Sequence, residues 1–570
     1  MRVCVVGAGS SGLTTIKQLR DEGHEVVCYD RNDDLGGLWL REGADAGKTK
    51  ACDNLFLTIS IKLMAYSDHP HRGDRVFYTR AQYWEYLRSY ARRYDLADHI
   101  RFGTEVTGLT RHDDGWTVTV RRDGVETEEE FGAVAVCSGP FKTPNTDLPG
   151  IADFSGEVVH SAGYRNAEPF RDKRVLIVGL AESGADVVRE VAQVASECTL
   201  AIRSRAFLLP RVEGSRTTDH GTVRSHHHEM LRRSTDYPLA FPTFWGDSRI
   251  AKTAFLAMAV VLGVVTTALG VLKEGLNRVL PWTREPEPGV NPLGQPMHPL
   301  KLDIDTLHND ENFDAIRQWN RASHPDGSWT QKAIFCKNVS FIPALVSGAV
   351  TLNDTGVDRF DGSTVYFGDG TSGEFDTVIL CTGYQATELA IGDLSVEDGN
   401  VRNLYRHFLH PDHDGTAAFI GFNRPLSGAV PLCAEMQSRY FARVLNGKLT
   451  VPENLPERIE TDKAWEEYWT SLSPRHPEAT PSNILYLDAL AKEIGCLIPM
   501  RMMMRNPRLF MHMWFGTFNQ ACYRVVGPHS DKRAALADLY SERIGKRRMF
   551  AWDMTVLQLA PSHMHPEHLI

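Results

Sequence analysis

The chain has 570 residues, 42% hydrophobic and 24% charged, so its composition is that of a globular protein and excludes a disordered or fibrous one. The formal charge of −10 argues against nucleic-acid binding, which needs a basic face to replace phosphate counterions. The ten cysteines form no CxxC pair, which argues against a zinc site or a disulfide framework. The apolar start lacks a cleavage-site pattern, so we expect a cytoplasmic protein.

A dinucleotide-binding turn opens the chain. An apolar strand at 2–6 leads into Gly7-x-Gly9-x-x-Gly12, a helix follows through "LTTIKQLRDEG", and the strand "EVVCYD" ends at Asp30. In this pattern the glycines permit a tight turn, a close approach to pyrophosphate and close packing of helix on strand, while the acidic residue accepts from a ribose hydroxyl. We expect Ser11, inside the turn, to contact the cofactor too. A glycine turn without a ligand is the disfavoured alternative.

The segment "DDLGGLW" follows this unit, and its Gly36–Gly37 pair suits a close approach of backbone to a bulky cofactor. We expect Gly37, Leu38 and Trp39 to line that cofactor. A buried strand in "AVAVCSGPFKTPNTDLPG" then runs into a Pro/Gly-rich connection, which predicts a domain boundary near residue 150.

A second turn lies in "VLIVGLAESGAD", residues 175–186, again between a predicted strand and a helix. It reads Gly179-x-Ala181-x-x-Gly184 and includes Glu182 and Ser183. The methyl group of Ala181 stands where backbone approaches pyrophosphate, so we expect a weakened rather than an abolished site. Two arginines in "LAIRSRAF", Arg203 and Arg205, follow the next strand, where an arginine accommodates the 2′-phosphate of NADP. A solvated basic strand end is the alternative for both.

The strand "FDTVILCTGYQ" at 375–385 resembles "AVAVCSG", and the pair flanks the second βαβ unit. We therefore predict an α/β fold with two Rossmann-like domains, one inserted into the other, and a helical C-terminal region. The predicted first domain comprises 1–152 and 341–450. The second comprises 153–340 with a helical insertion near 206–330, and 451–570 form the helical region, in which "NILYLDALAKEIG" is the clearest amphipathic helix.

The stretch 253–272 contains no charged residue and as a helix would span roughly 30 Å. A single crossing would put two parts of one domain on opposite sides of a membrane, which argues against a span. Three interpretations stay open: a buried helix, a peripheral membrane contact, and the apolar roof of a substrate tunnel.

A four-residue motif lies between the two turns: Phe154-x-Gly156-x-x-x-His160-x-x-x-Tyr164. It matches the FxGxxxHxxxY motif of flavin-containing monooxygenases. The segments "YDRNDDLGGLW", "MAYSDHP", "CTGY" and 506–528 also resemble the animal-type members, so the resemblance covers nearly the whole chain.

This resemblance implies that FAD binds the first turn and NADPH the second, and that O2 is the co-substrate. It gives cofactor-binding roles to three more residues: Val106, Thr382 and Gly383. The implied reaction transfers one oxygen atom from a flavin 4a-hydroperoxide to a soft nitrogen or sulfur of a lipophilic small molecule. A homodimer is compatible with the sequence.

The chain departs from the family beside the flavin, where an asparagine is usual. Alignment on Lys62 in "LFLTISIKLMAYSD" puts Ile59 at that position, and the hydroxyl groups of Thr58 and Ser60 flank it. These three residues are our candidates for the catalytic segment, and no acid–base residue is required.

Three alternatives remain open: Baeyer–Villiger oxygenation, against which Tyr164 argues; a flavin-dependent oxidase or dehydrogenase, suggested by Ile59; and a membrane-held flavin-binding protein without activity. The run "SHHHEM" at 225–230 does not make its side chains converge, so we expect no metal.

Overall fold

A computed structural model of the chain describes residues 1–40, 51–73, 75–213, 216–224, 306–323, 335–385, 389–425, 428–470, 479–480 and 482–542. The stretch 253–272 and the run 225–230 lie outside these ranges, so the predictions made for them stay predictions. No helix within the ranges is both long and apolar enough to cross a bilayer. Across the same ranges, no three metal-ligating side chains lie close enough to share an ion.

The first sheet has five parallel strands. Alternate residues of its central strand face two different cores: Val3 and Val5 pack against helices, whereas Cys4 and Val6 pack on an antiparallel sheet. Burial on both faces is what a parallel sheet requires, and it explains the uninterrupted apolar run at the start of the chain. In spatial order the strands are Ala417–Phe419, Ala133–Val136, Arg2–Val6, Glu25–Tyr29 and Ile100–Arg101.

The covering layers of this sheet come from distant parts of the chain. Helices Ser10–Asp21 and Val430–Leu445 cover one face, where the hydroxyl groups of Thr15 and Ser438 lie 2.9 Å apart. The other face carries an antiparallel sheet of strands Thr104–His112, Gly115–Arg122 and Val125–Phe131. The C-terminal side of the chain therefore completes the first domain.

The second sheet repeats this architecture. Val175 and Ile177 face one core, and Leu176 and Val178 face another. Helix Glu182–Val191 covers the first face, and an antiparallel sheet of Val357–Asp361, Thr364–Phe367 and Ser372–Glu374 covers the second. The five parallel strands are Thr351–Asn353, Glu197–Ala201, Arg174–Val178, Thr377–Leu380 and Glu157–His160. The predicted α/β fold with two Rossmann-like sheets is confirmed.

The domain boundary predicted at residue 340 is wrong. Strands Thr351–Asn353 and Thr377–Leu380 belong to the second sheet, and the chain returns to the first sheet only at Ala417–Phe419. Strands Thr377–Leu380 and Ala417–Phe419 are both fully buried, so their sequences do not reveal which sheet they join. The two similar stretches are equivalents in different sheets: Cys137 follows strand Ala133–Val136 and lies behind the first turn, and Cys381 follows strand Thr377–Leu380 and lies behind the second.

The remaining elements are helices and two-residue strand pairs. The C-terminal region is mainly helical, as predicted, with helices Leu455–Thr470, Asn483–Ile494, Met500–Met504, Pro507–Phe515 and Lys532–Ser541. Elsewhere the helices are Ile61–Met64, Arg80–Arg93, Asp310–Ser323 and Ile342–Val346. The short pairs are Phe207–Leu208 with Phe335–Cys336, Val212–Glu213 with Arg216–Thr217, Ala390–Ile391 with Leu394–Ser395, and Arg424–Pro425 with Ala479–Thr480.

Candidate active site between the two dinucleotide folds

The first turn is shaped by two close approaches of backbone. A Cβ on Gly12 would lie 1.8 Å from the carbonyl oxygen of Gly7, so only glycine lets the helix start here. Gly37, at φ +56°, brings the next loop against the turn, and a Cβ there would lie 3.1 Å from Gly9 Cα. No side chain caps the helix, which leaves its first amides to a ligand. The backbone therefore forms a cradle that fits a pyrophosphate.

Asp30 lies at the end of the neighbouring strand, where the pattern predicts the ribose acceptor. Its Oδ2 accepts from the Ala8 amide at 2.6 Å, and its Oδ1 accepts from the Asn32 amide at 2.7 Å and the Asn32 side chain at 2.8 Å. Burial raises its pKa. A carboxylate offers about four acceptor sites, so Asp30 retains capacity for a hydroxyl group.

The other predicted residues of this site surround the same turn. The strand that carries Val106 begins where the Thr104 amide donates to the Asp30 carbonyl at 2.9 Å. Leu38 and Trp39 lie in the short helix Gly37–Trp39, and the Trp39 ring packs edge-on against Tyr83.

Sequence reasoning missed Gly421, which packs on the first turn: a Cβ there would lie 2.0 Å from the hydroxyl oxygen of Ser11. The available signal was the glycine directly after an apolar strand in "AAFIGF", the same strand-then-glycine pattern as in both turns.

The second turn uses the same packing contact. A Cβ on Gly184 would lie 2.5 Å from the carbonyl oxygen of Gly179. Ala181 precedes the helix with φ −146° and ψ −153°, an extended conformation open to any residue. Its methyl group therefore costs no backbone strain, and its only effect is on the space left for a ligand. Ser183 is exposed in the first helical turn, whereas Glu182 points inward and accepts from the Lys337 amide at 2.7 Å.

The two arginines predicted for the 2′-phosphate differ in their surroundings. Arg205 pairs with Asp354 at 2.7 Å and stacks over Trp319 at 4.6 Å. Arg203 is exposed and has no hydrogen-bond or ion-pair partner in the part of the chain that the structure describes. Arg203 is thus the better placed of the two to take a new anionic partner.

The four motif residues hold the second sheet together. A Cβ on Gly156 would lie 2.5 Å from the Asp376 carbonyl oxygen, and Phe154 packs edge-on against Phe360. The Tyr164 hydroxyl group donates to Glu190 at 2.8 Å. These contacts indicate a packing role for the Phe, Gly and Tyr positions.

His160 links the motif to the turn at 382–383. Its Nδ1 accepts from the Ala162 amide at 3.0 Å, so its Nε2 carries the proton donated to the Gly383 carbonyl at 2.8 Å. Burial lowers its pKa, which favours this neutral form. The neighbouring Thr382 hydroxyl group donates to the Asn145 carbonyl. Both predicted residues of this turn therefore join the second sheet to the inter-domain connection.

The segment Thr58–Ser60 enters the junction between the domains. Ile59 is buried in the first core. The Ser60 amide donates to Asp219 Oδ2 at 2.5 Å, and Asp219 lies in the short helix Thr218–Gly221, which follows the second βαβ unit in the chain. Thr58 is half-buried and makes no hydrogen bond through its hydroxyl group to any residue within the described ranges. Of the three candidates, Thr58 keeps a hydroxyl group available.

Sequence reasoning missed the charged side chains that surround Ser60. Asp219 forms an ion pair with Lys337 at 3.2 Å, and Arg75 Nη1 lies 3.5 Å from the Ser60 hydroxyl oxygen. No local pattern marks these residues, because they come from three separate segments.

Two parallel sheets, each with its own dinucleotide turn, and a polar junction between them define a protein that binds two dinucleotides. The sequence profile described as flavin-binding monooxygenase-like matches residues 1–244 and 321–548. The chain belongs to this family.

Its similarity to individual proteins extends over nearly the full length. It is 32% identical over 534 residues to 4-hydroxybenzoate brominase (decarboxylating) of Marinomonas mediterranea, covering 93% of this chain and 90% of that protein. It is 29% identical over 545 residues to the N-oxide-forming dimethylaniline monooxygenase 4 of Mus musculus, covering 92% and 84%. The fold is similar to S-allyl-L-cysteine S-oxygenase from Allium sativum, with a TM-score of 0.56, 20% identity, and 95% and 98% coverage.

Family membership confirms the predicted cofactors FAD and NADPH and the co-substrate O2. The geometry agrees, since the first turn has the cradle and the acidic residue, and the second has the cradle and an exposed arginine. The chain is an oxidoreductase of the flavin monooxygenase family.

Proposed function

We propose that this protein is an NADPH-dependent monooxygenase that transfers one oxygen atom from O2 to a soft nitrogen or sulfur atom of a lipophilic small molecule. The balanced reaction consumes NADPH, a proton, O2 and the substrate, and yields NADP+, water and the oxygenated product. Bound FAD supplies the redox chemistry and the activation of O2. The observation that carries the proposal is the contact of Ser60 with Asp219, which joins the two dinucleotide domains beside the candidate catalytic segment.

The residues of the chain bind, orient and exclude water. The free amides in the first turn of helix Ser10–Asp21 and the Asp30 carboxylate would hold the first dinucleotide. The free amides in the first turn of helix Glu182–Val191, together with Arg203, would hold the second. Ile59 presents an apolar side chain at the junction and excludes water there. Thr58 and Ser60 are equally close in sequence to the position of the usual asparagine, and of the two only the Thr58 hydroxyl group has no hydrogen-bond partner within the described ranges.

The test is turnover under 18O2 with a panel of tertiary amines, thioethers and ketones. We expect an N-oxide or S-oxide that contains one 18O atom, with little H2O2 per NADPH consumed. An unlabelled product, or H2O2 equal to NADPH with every substrate, would contradict oxygen transfer and favour the oxidase alternative. Labelled lactone or ester from the ketones alone would favour the Baeyer–Villiger alternative.

Thr58→Val removes one hydroxyl group at nearly constant volume and tests the candidate donor. We expect H2O2 released per NADPH to rise about tenfold, since a lost hydrogen bond to a charged or polar group is worth about 1.5 kcal/mol. Thr58→Ser is the matched control, because it keeps the hydroxyl group and removes only a methyl group. An equal rise in both variants would contradict the role of Thr58.

Halide oxidation is a second candidate function. The two brominases, at 32% and 31% identity, are more similar to this chain than the animal N-oxide-forming dimethylaniline monooxygenases at 28–29%. Bromide is also a soft nucleophile, and accepting one oxygen atom converts it to hypobromite. Incubation with NADPH, bromide and 4-hydroxybenzoate, followed by mass spectrometry, tests this candidate. Brominated phenols would support halide oxidation. Unchanged 4-hydroxybenzoate, in a preparation that oxygenates amines, would exclude it.

A further inference from the structure

A network of four polar residues, of which Ser60 and Asp219 are buried and Lys337 and Glu182 are partly buried, crosses the junction, and we call it the junction network. The Ser60 amide donates to Asp219 Oδ2 at 2.5 Å, and Asp219 Oδ1 pairs with Lys337 Nζ at 3.2 Å. The Lys337 main-chain amide then donates to Glu182 Oε1 at 2.7 Å. The network thus runs from the candidate catalytic segment to the first residue of the helix that follows the second turn.

The centre of the network is an ion pair removed from water. The Asp219 side chain is 0% exposed and that of Lys337 is 15% exposed. Burial alone favours the neutral acid, yet Lys337 and Arg75 together hold the pKa of Asp219 below its usual range. A buried ion pair adds little net stability over apolar packing. Its consequence here is geometric, because an ionised Asp219 fixes the position of the Ser60 amide.

The far end of the network has an unsatisfied acceptor. Glu182 Oε2 is buried and has no hydrogen-bond partner within the described ranges, and burial raises the pKa of this carboxyl group. A buried unsatisfied oxygen costs about 1–3 kcal/mol. A hydrogen-bond donor of a dinucleotide bound at the second turn, such as a ribose hydroxyl or a carboxamide, would satisfy this oxygen.

We propose that Asp219 and Lys337 are positioning residues that couple occupation of the second turn by NADP(H), sensed at Glu182, to the position of the Thr58–Ser60 segment beside the flavin. The proposal rests on the proposed function only in placing FAD at the first turn and NADP(H) at the second. It assigns Lys337 two separate links: its side chain holds Asp219, and its backbone holds Glu182.

The experiment titrates the oxidised FAD-loaded protein with NADP+ and records the flavin difference spectrum and the NADP+ dissociation constant. Lys337→Met cuts the link to Asp219 and keeps the backbone link to Glu182. We expect the variant still to bind NADP+, while the spectral change falls to less than about a fifth of that of the unmodified protein, within the usual range of coupling between two sites. Lys337→Arg retains the charge, so we expect it to restore at least about half of the change.

Glu182→Gln tests the other end of the network. The amide oxygen can still accept from the Lys337 backbone, but an NH2 group replaces the unsatisfied oxygen and opposes a donor of the ligand. We expect the NADP+ dissociation constant to rise about tenfold. Glu466→Gln is the matched control, since Glu466 forms a comparably buried ion pair with Arg402 outside the junction network and should leave both readouts unchanged.

The outcomes separate this proposal from the proposed function. A full spectral change in Lys337→Met, or no NADP+-dependent change in the unmodified protein, would overturn the coupling even if oxygen transfer is found under 18O2. A change lost in Lys337→Met and restored in Lys337→Arg would support the coupling even if all oxygen leaves as H2O2.

Discussion

The two dinucleotide turns share their third glycine and differ at their second. Gly12 and Gly184 both stand where a Cβ would overlap a carbonyl oxygen of their own turn, at 1.8 Å and 2.5 Å. Gly9 and Ala181 precede their helices in extended conformations, where no glycine is needed for the backbone. The third position is therefore fixed by packing of the protein, and the second only by the ligand.

The two turns also differ in the groups that lie next to them. The loop at Gly37 approaches the first turn from outside, whereas the second turn has Glu182 pointing from its helix into the junction. The first site is closed by backbone and is suited to a permanently bound cofactor. Glu182 connects the second site to the junction network, so this site is suited to a ligand whose binding affects the Thr58–Ser60 segment.

The largest effect should come from the shared glycine. Gly12→Ala forces a Cβ onto the Gly7 carbonyl, so we expect a loss of about 3 kcal/mol or more and a protein without FAD. Gly184→Ala has a looser clash of 2.5 Å, so we expect about 1–2 kcal/mol, retained FAD and weaker NADP+ binding. FAD content, thermal midpoints and NADP+ titration measure these changes. Loss of FAD in Gly184→Ala alone would break the assignment of cofactors to turns.

Exchanging the second residues of the turns should have an intermediate effect. Gly9→Ala places a methyl group at ordinary contact, 3.7 Å from Gly37 Cα, so the protein should fold while FAD affinity falls about tenfold. Ala181→Gly should raise NADP+ affinity severalfold because it widens the cradle. Calorimetric titration checks both. Unchanged affinity in Ala181→Gly would show that the methyl group does not restrict the site.

A smaller effect is expected from the arginines after the second turn. Arg203→Ala should reduce the preference for NADPH over NADH about tenfold, because its guanidinium group has no competing partner within the described ranges. Arg205→Ala should reduce it less, since Asp354 and Trp319 already engage that side chain. The ratio of kcat/KM for the two nucleotides is the measurement. The reverse order would contradict our placement of the 2′-phosphate.

The smallest effect should be a pH-dependent change in stability. Tyr164→Phe removes the donor to Glu190, whose pKa burial already raises. A raised pKa of an acid stabilises the fold at low pH, and this contribution is lost as pH rises through that pKa. Without the Tyr164 donor the pKa rises further, so we expect a cost of about 1–2 kcal/mol near pH 8 and less near pH 5. Denaturant unfolding at both pH values checks this, and an equal cost at both would contradict an ionised Glu190.

Local patterns predicted the residues whose role is local. The turn from Gly7 to Gly12, the acceptor Asp30 and the helix in "NILYLDALAKEIG" depend on spacing within about thirty residues, which one sequence displays. Strand Thr377–Leu380 was assigned to the wrong sheet, because a strand buried on both faces has the same apolar character in either sheet. The sequence did not distinguish Arg203 from Arg205, and only the contacts of Arg205 with Asp354 and Trp319 separate them.

The sequence by itself determined the two dinucleotide turns and the α/β fold, since both depend on short-range periodicity and fixed spacing, and its resemblance to flavin-containing monooxygenases indicated the family. Only the tertiary structure decided which strand joins which sheet, and that Asp219 and Lys337 meet the Ser60 amide. These contacts join residues more than a hundred positions apart, and the Asp219–Lys337 pair is removed from water only by the folded packing, so no local pattern displays it.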